Sequence, residues 1–306
     1  MNRLAYKNVL VIVKQTPYEQ YLQLKNQGKA PIALRWSRLK ERYESHRRCV
    51  DEVVNVLKQQ GCQNKVISRE EMHRDQLIDK DLVIAVGGDG TVLNSASFLN
   101  DKIPLLGVNS DPTRDDEGSV TKVVDERRSK GALCASSALN VHSTLPVFLS
   151  GAVPPQIRTR IRCVVKSTYT ETKLPPALND ILIAHPIPAV VSRFRLRLFH
   201  DSRLDVYSDQ SRPNTSLDSE DLEKLQQIFS FNTWCSGMWI CTATGSTAAM
   251  RNAGGREMNL RSRSLQYMVR EHLAEQGQEH LRASGHGMIG EMRHHVPILV
   301  VNCLVF

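Results

Sequence analysis

The sequence predicts an α/β N-terminal domain built on a doubly wound parallel sheet, followed by a β-rich, antiparallel C-terminal domain. Three observations carry this prediction. Over roughly the first 150 residues, all-apolar runs alternate with segments of helical periodicity, the signature of strands joined by crossover helices. One run, Leu82-Val83-Ile84-Ala85-Val86, leads directly into Gly87-Gly88-Asp89-Gly90-Thr91. Beyond Pro154-Pro155 the period becomes two, which marks half-exposed antiparallel strands. A chain of 306 residues suffices for two cores. The boundaries fall at 1–152 and 153–271, with a divergent tail at 272–306.

In chain order, residues 9–13 (VLVIV) read as a first strand, central because it is apolar throughout. The polar stretch with Pro17, Gly28 and Pro31 reads as an irregular loop. Leu39, Tyr43, His46, Val50, Val53 and Leu57 recur at spacings of three and four, one face of a helix. Gly61 stands where its C-terminal cap belongs. His46 reads as a core-edge histidine, since nothing near it has metal-ligand spacing. Residues 65–68 form a short second strand and 82–86 the third. Residues 91–99 (TVLNSASFL) read as a helix with Thr91 as N-cap, and 103–108 as the next strand.

The GGDGT turn has two readings, a plain glycine turn or a ligand site. Glycines let the backbone turn tightly and aim amide groups at phosphate oxygens. Asp89 would then sit at the carboxyl edge of a sheet, where open α/β folds bind ligands. That carboxylate and two downstream segments favour the ligand site.

In the second domain, Ile157, Thr159, Ile161, Cys163 and Val165 alternate with Arg158, Arg160, Arg162, Val164 and Lys166. Arg193, Arg195 and Arg197 alternate with Phe194, Leu196 and Leu198. Both runs read as antiparallel strands whose arginines form a solvated face rather than a phosphate patch. Residues 207–233 read as a surface insertion ending in a short helix, with Leu222, Leu225 and Phe229 on one side. Strand character resumes at 238–242 and runs into a glycine flanked by hydroxyls at the head of a helix, suited to phosphate or ribose oxygens. Residues 296–306 read as one further strand, and His294-His295 as a surface pair.

The charge of +8 suits anionic ligands, nucleotides included. Nucleic acid is disfavoured because the basic residues are scattered and only 6% of residues are aromatic. Seven cysteines, odd in number and never in a CxxC pair, argue against a disulfide framework and a zinc site. No apolar run has the length of a membrane span or a signal peptide. A cytoplasmic protein without membrane or nucleic-acid partners is expected.

Three ordered segments resemble the NAD kinase family: GGDGT at 87–91, Leu178-Asn179-Asp180 before an apolar strand, and TATGSTAA at 242–249. Phosphofructokinases and the diacylglycerol and sphingosine kinases share the glycine turn, whereas the second and third motifs select NAD kinases. Residues 103–113, 177–194, 245–255 and 265–271 are most similar to the plant NADH kinase branch. The resemblance covers about residues 8–271 outside the insertion. It implies phosphorylation of the adenosine ribose 2′-hydroxyl of NADH or NAD⁺ by ATP, with Mg²⁺ as the assumed divalent ion, in a site between the two domains.

The same resemblance implies that Asp89 is the general base, within a loop of Gly87, Gly88, Gly90 and Thr91 around the transferred phosphoryl group. It implies that Asn179 and Asp180 hold the adenosine ribose, and that Thr244, Gly245, Ser246, Thr247 and Ala248 complete the pocket. No metal held by the protein itself is implied, and a homo-oligomer, a dimer first, is expected. No Walker A motif is present.

Ala243 and Ala249 replace proline and tyrosine of many NAD kinases, as in the plant branch. The insertion has no recognised counterpart. The unmatched tail implies an incomplete β domain with uncovered apolar faces. An inactive nucleotide-binding product and a lipid kinase are the alternatives; the latter leaves Asn179-Asp180 and the TGST segment unexplained.

Overall fold

The computed structural model describes residues 4–112, 130–200, 226–273, 286–289 and 298–303. The chain divides into two compact units, Met1–Gln156 and Ile157–Phe306.

The first unit runs β1 (Asn8–Val13), α1 (Pro17–Asn26), α2 (Trp36–Gln59), β2 (Gln63–Ser68), β3 (Leu82–Gly87), α3 (Asp89–Phe98), β4 (Leu105–Asn109), β5 (Ser136–Ser137) and α4 (Val141–Leu149). Its strands form one parallel sheet in the order β2-β1-β3-β4-β5. The all-apolar strands are buried on both faces, as their composition requires. Val9, Val11, Ile84 and Val86 pack with Val53, Leu57 and Leu145 of α2 and α4, while Leu10, Ile12 and Val83 pack with Ile67, Met72 and Leu99. Each such fully buried side chain contributes about 1.5–3 kcal/mol. The strand order reverses direction between β1 and β3, so their carboxyl ends flank the switch point where such sheets bind ligands.

Local details depart from the sequence reading in three places. The stretch read as a loop after β1 contains α1. Its capping box is complete: the Thr16 hydroxyl accepts from the Glu19 amide at 3.4 Å and the Glu19 carboxylate from the Thr16 amide at 2.8 Å. Pro17 opens the helix, a position where its missing N–H costs nothing. No residue of α1 is buried. It lies on α2 through Tyr18, whose ring is 5.2 Å from Tyr43 and 6.2 Å from Trp36.

α3 starts at Asp89 with Gly88 as N-cap, so Thr91 is buried inside the helix rather than capping it. His46 is not at the core edge but inside, 1% exposed. Gly61 does end α2, at φ +75° with the Cys62 amide returning to the Leu57 carbonyl at 2.9 Å.

The second unit contains β6 (Val164–Lys166), β7 (Glu171–Lys173), β8 (Asp180–Ile183), β9 (Ser192–His200), β10 (Gln226–Cys235), β11 (Gly237–Cys241), α5 (Ala249–Asn252), β12 (Leu265–Arg270), β13 (His286–Ile289) and β14 (Ile298–Cys303). Its sheets, β10-β9-β14, β13-β12-β11-β8 and the pair β6-β7, are antiparallel. The alternation in β9 holds, with Phe194, Leu196 and Leu198 buried beside Met238, Ile240 and Val269.

The other predicted run does not hold. Between 157 and 163 there is one bridge, Ile161 to Ala177, and Ile157 is 94% exposed. Beyond that bridge and the Leu174 amide's hydrogen bond to the Cys163 carbonyl at 2.9 Å, the pattern finds no regular ladder among the described residues before β6. The helix read at the end of the insertion is also overturned over its last part. Residues 226–235 form β10, in antiparallel register with β9, and Phe229 stands opposite Leu198. Residues 207–225, with Leu222 and Leu225, lie outside the described residues, as do His294 and His295. The tail supplies two strands rather than one: β13 pairs with β12 and β14 with β9.

Candidate active site

The glycine turn is built by three strand ends lying side by side. Val13 pairs with Val86 and Gly87 with Asn109, which brings Lys14, Gly88-Asp89 and Ser110-Asp111 to one sheet edge. The Lys14 amide donates to the Val86 carbonyl at 3.2 Å and the Ser110 amide to the Gly87 carbonyl at 3.0 Å. Gly87 must be glycine, since a Cβ there would overlap the buried Thr91 side chain. A Cβ on Gly90 would meet nothing, so its missing side chain leaves open space at the start of α3. The first amides of a helix have no intrahelical acceptor and carry the positive end of its dipole, so this space suits an anion.

The Asp89 carboxylate, at the first position of α3, accepts from the Leu133 amide at 2.8 Å, which fixes its orientation. Burial, and then the Asp89 charge, push the adjacent Cys134 thiol up to about 12, so it is not a competing nucleophile.

A cavity of about 280 Å³ opens on this edge. Gly88, Asp89, Gly90 and Thr91 line one part of it, and Lys14, Arg42, Arg69, Asn109 and Asp111 another. Three cations against two carboxylates, beside a helix N-terminus, make a site for a polyanion. Arg42 Nε lies 3.6 Å from Asp111. Burial lowers the pKa of Lys14, with the Asp111 charge opposing that shift. Behind the edge, His46 Nδ1 is 2.7 Å from Ser110 Oγ. Burial first, then the charges of Lys14 and Arg47, push His46 down to about 3, so the imidazole is neutral and braces the β4 end.

In the second unit the structure brings the other two motifs together. The Thr242 hydroxyl donates to the Leu178 carbonyl at 2.6 Å, and its amide to the Asn179 carbonyl at 2.9 Å. Gly245 packs on Asn179 so closely that a Cβ would overlap the Asn179 backbone carbonyl. Gln266, fully buried, brackets Arg256 by accepting from its amide at 2.8 Å and donating to its carbonyl at 2.7 Å.

The turn itself is a 3₁₀ segment, Gly245–Thr247, followed by the four-residue α5, too short to supply the helix dipole expected there. Ser246 is wholly buried and spent on the fold, donating to the Ala243 carbonyl at 2.7 Å and accepting from the Met258 amide at 2.9 Å. Thr244 is buried too, whereas Thr247 is exposed and Ala248 half-buried.

Asn179 and Asp180 are the unspent pair. The Asn179 side-chain oxygen is buried with no hydrogen-bond partner among the described residues. Burial raises the pKa of the half-buried Asp180 carboxylate, and no described residue donates a hydrogen bond to it. An unmet buried acceptor costs about 1–3 kcal/mol, which a ligand bearing adjacent hydroxyl donors would relieve.

Lys14, Arg42, Arg69, Asn109 and Asp111 escape the sequence reading. A signal exists for Lys14, Asn109 and Asp111: each ends or closely follows an apolar run read as a parallel strand, and so falls on the same carboxyl edge as Asp89. Arg42 and Arg69 lack such a signal, because nothing in their spacing tells which way they face.

The sequence model of the ATP-NAD kinase N-terminal domain matches residues 15–111. A probable NADH kinase of Oryza sativa subsp. japonica is 38% identical over 264 residues, 86% of this chain and 72% of that protein. The NADH kinase of Arabidopsis thaliana is 37% identical over 276 residues, 88% and 77% of the two chains. Among solved structures, yeast NADH kinase complexed with NADH superposes with a TM-score of 0.57 at 13% identity, covering 98% of this chain and 75% of that one. An Archaeoglobus fulgidus NAD kinase in complex with ATP gives 0.54 at 15% identity, covering 98% and 86%. At such identities the two structures speak to fold alone. The identity and coverage shared with the plant proteins settle the assignment: this chain belongs to the NAD kinase family.

Proposed function

We infer that this chain is an ATP-dependent NAD(H) kinase in which Asp89 is the general base. The adenosine ribose 2′-hydroxyl gives its proton to the Asp89 carboxylate as its oxygen attacks the γ-phosphorus of ATP. The bond from that phosphorus to the β,γ-bridging oxygen breaks, ADP leaves, and the ribose carries a 2′-phosphate. A hydroxyl is a weak nucleophile at neutral pH, and a positioned base contributes about 10²–10⁴-fold. The glycine-turn amides and the cavity cations offset charge on the moving phosphoryl group. NADH is the proposed substrate ahead of NAD⁺, in keeping with the plant relatives.

The observation that carries this reading is the Asn179–Asp180 pair, two neighbouring acceptors left without donors. Ribose offers adjacent hydroxyls of that polarity. A lipid kinase reading leaves the pair idle.

Mg²⁺ fits as an ion travelling on the ATP phosphates. With Asp89 kept as base, Asp111 is the described carboxylate at the cavity that would hold such an ion, which takes one or two carboxylates plus phosphate oxygens and water. Among the described residues no three His, Cys, Asp or Glu side chains gather to hold a metal themselves. When bound, the ion neutralises β- and γ-phosphate charge. Cytoplasmic residence and a homodimer belong to the same proposal, supported by cysteine spacing and family resemblance. Fractionation and light scattering of the full chain check them.

Purified protein with ATP, Mg²⁺ and NADH should form NADPH. Asp89→Asn should lower kcat by about 10²–10⁴-fold while NADH still binds. Folded wild type that forms no NADPH, or an Asp89→Asn variant with unchanged kcat, defeats the reading.

A further inference from the structure

We propose that Lys14 is a catalytic residue whose ammonium group, carried on the end of β1, holds the γ-phosphoryl group of ATP beside the glycine turn. The proposal rests on the kinase reading above and assigns a residue to its phosphoryl-transfer step.

Lys14 is rooted beside the turn. It directly follows β1, its amide is tied to Val86 of β3 at 3.2 Å, and a Cβ on Gly87 would lie 3.3 Å from the Lys14 Cβ. Its side chain lines the same cavity as Gly88, Asp89 and Gly90. Among the described residues three cations line that cavity, and two are committed. Arg42 pairs with Asp111 at 3.6 Å, and Arg69 with Glu70 at 3.3 Å.

Lys14 is half-buried, and its ammonium group makes no hydrogen bond or ion pair among the described residues. Asp111, the carboxylate whose field reaches Lys14, is the one already paired with Arg42. A partly desolvated cation whose nearest described carboxylate is shared with Arg42 is costly, and an anion in the cavity reduces that cost.

The chemistry requires such a group. Phosphoryl transfer spreads charge over three equatorial oxygens, and preorganised cations aimed at that charge are the main protein contribution. P-loop kinases carry their lysine on the glycine loop itself, and this chain has no GxxxxGK[ST] motif. Here the lysine comes from the end of the neighbouring strand. Amides of the turn and the Lys14 ammonium then flank the phosphoryl group, with Asp89 reserved for the hydroxyl proton.

The test compares wild type, Lys14→Met and Lys14→Arg in the full chain, with thermal unfolding as the control for folding. Lys14→Met should lower kcat/KM for ATP by about 100-fold or more, with KM for NADH within about threefold of wild type, and Lys14→Arg should recover at least about tenfold of the loss. Calorimetry with inorganic tripolyphosphate should show binding to wild type that is weakened at least about tenfold in Lys14→Met. Should Lys14→Met not fold, Lys14→Gln takes its place.

Unchanged kcat/KM for ATP in an active Lys14→Met protein overturns the proposal. So does a loss shared equally between ATP and NADH that arginine does not rescue, since that marks a merely structural role. Wild type that makes no NADPH instead defeats the kinase reading, and the tripolyphosphate comparison then decides whether Lys14 serves a phosphate site at all.

Discussion

His46 shows how a single side chain couples the core to the site. In the unfolded chain it takes up its proton near pH 6.5, but inside the fold it stays neutral down to about 3. The unfolded state therefore binds more protons between those values. This contribution to stability is fully present above pH 6.5 and is lost as pH falls towards 3, at up to about 1.4 kcal/mol per pH unit. Urea midpoints measured from pH 7.5 to 5 should fall, and His46→Gln should flatten that slope. Equal slopes in the two proteins would show that His46 is not buried as described. The residues that announce chemistry by motif, Asp89, Asn179 and Asp180, are legible from sequence because their neighbours are glycines or strand signals. For Lys14 the sequence signals only its place at a strand end on the same edge; its role emerges when Arg42 and Arg69 are seen to be paired elsewhere.

At the scale of elements, α1 and the TGST turn are held by opposite means. α1 buries nothing and depends on its cap and on Tyr18. Thr16→Ala should therefore cost about 1 kcal/mol in urea unfolding, and no loss would show that the capping box is idle. Its missing apolar stripe is why periodicity reads it as a loop, although Thr16-Pro17 followed by Glu19 is a legible helix start. The turn at Gly245 depends on close packing. Gly245→Ala should destabilise the second unit by about 1–3 kcal/mol and weaken NADH binding, because the Asn179 carbonyl must move. Calorimetry that finds unchanged NADH affinity would separate the turn from the site. Residues 157–163 and 226–235 mislead for one shared reason. Periodicity reports which faces a segment has, not whether a partner strand lies beside it, and only the pairing with β9 makes the second segment a strand.

For the whole molecule, the division into a parallel and an antiparallel unit is visible in the change of period near Pro154, whereas the order β2-β1-β3-β4-β5 is not. Strand order is set by long-range pairing that no local pattern records. That order nonetheless makes the site, since it lays the ends of β1, β3 and β4 beside each other. Within the second unit Asn179 and Asp180 leave acceptors unmet, and there the tail pairs the sides of β9 and β12; within the first unit lies a cavity suited to a polyanion. On the kinase reading, this folded chain moves the γ-phosphoryl group of ATP onto a dinucleotide ribose. Incubation of the full chain with NADH, Mg²⁺ and ATP labelled at the γ-phosphorus tests it most directly. The label should appear in NADPH, in equal amount to the ADP formed, and phosphorus NMR should place it on the ribose 2′-oxygen. Label found only in ATP or inorganic phosphate, from protein shown to be folded, would rule that transfer out.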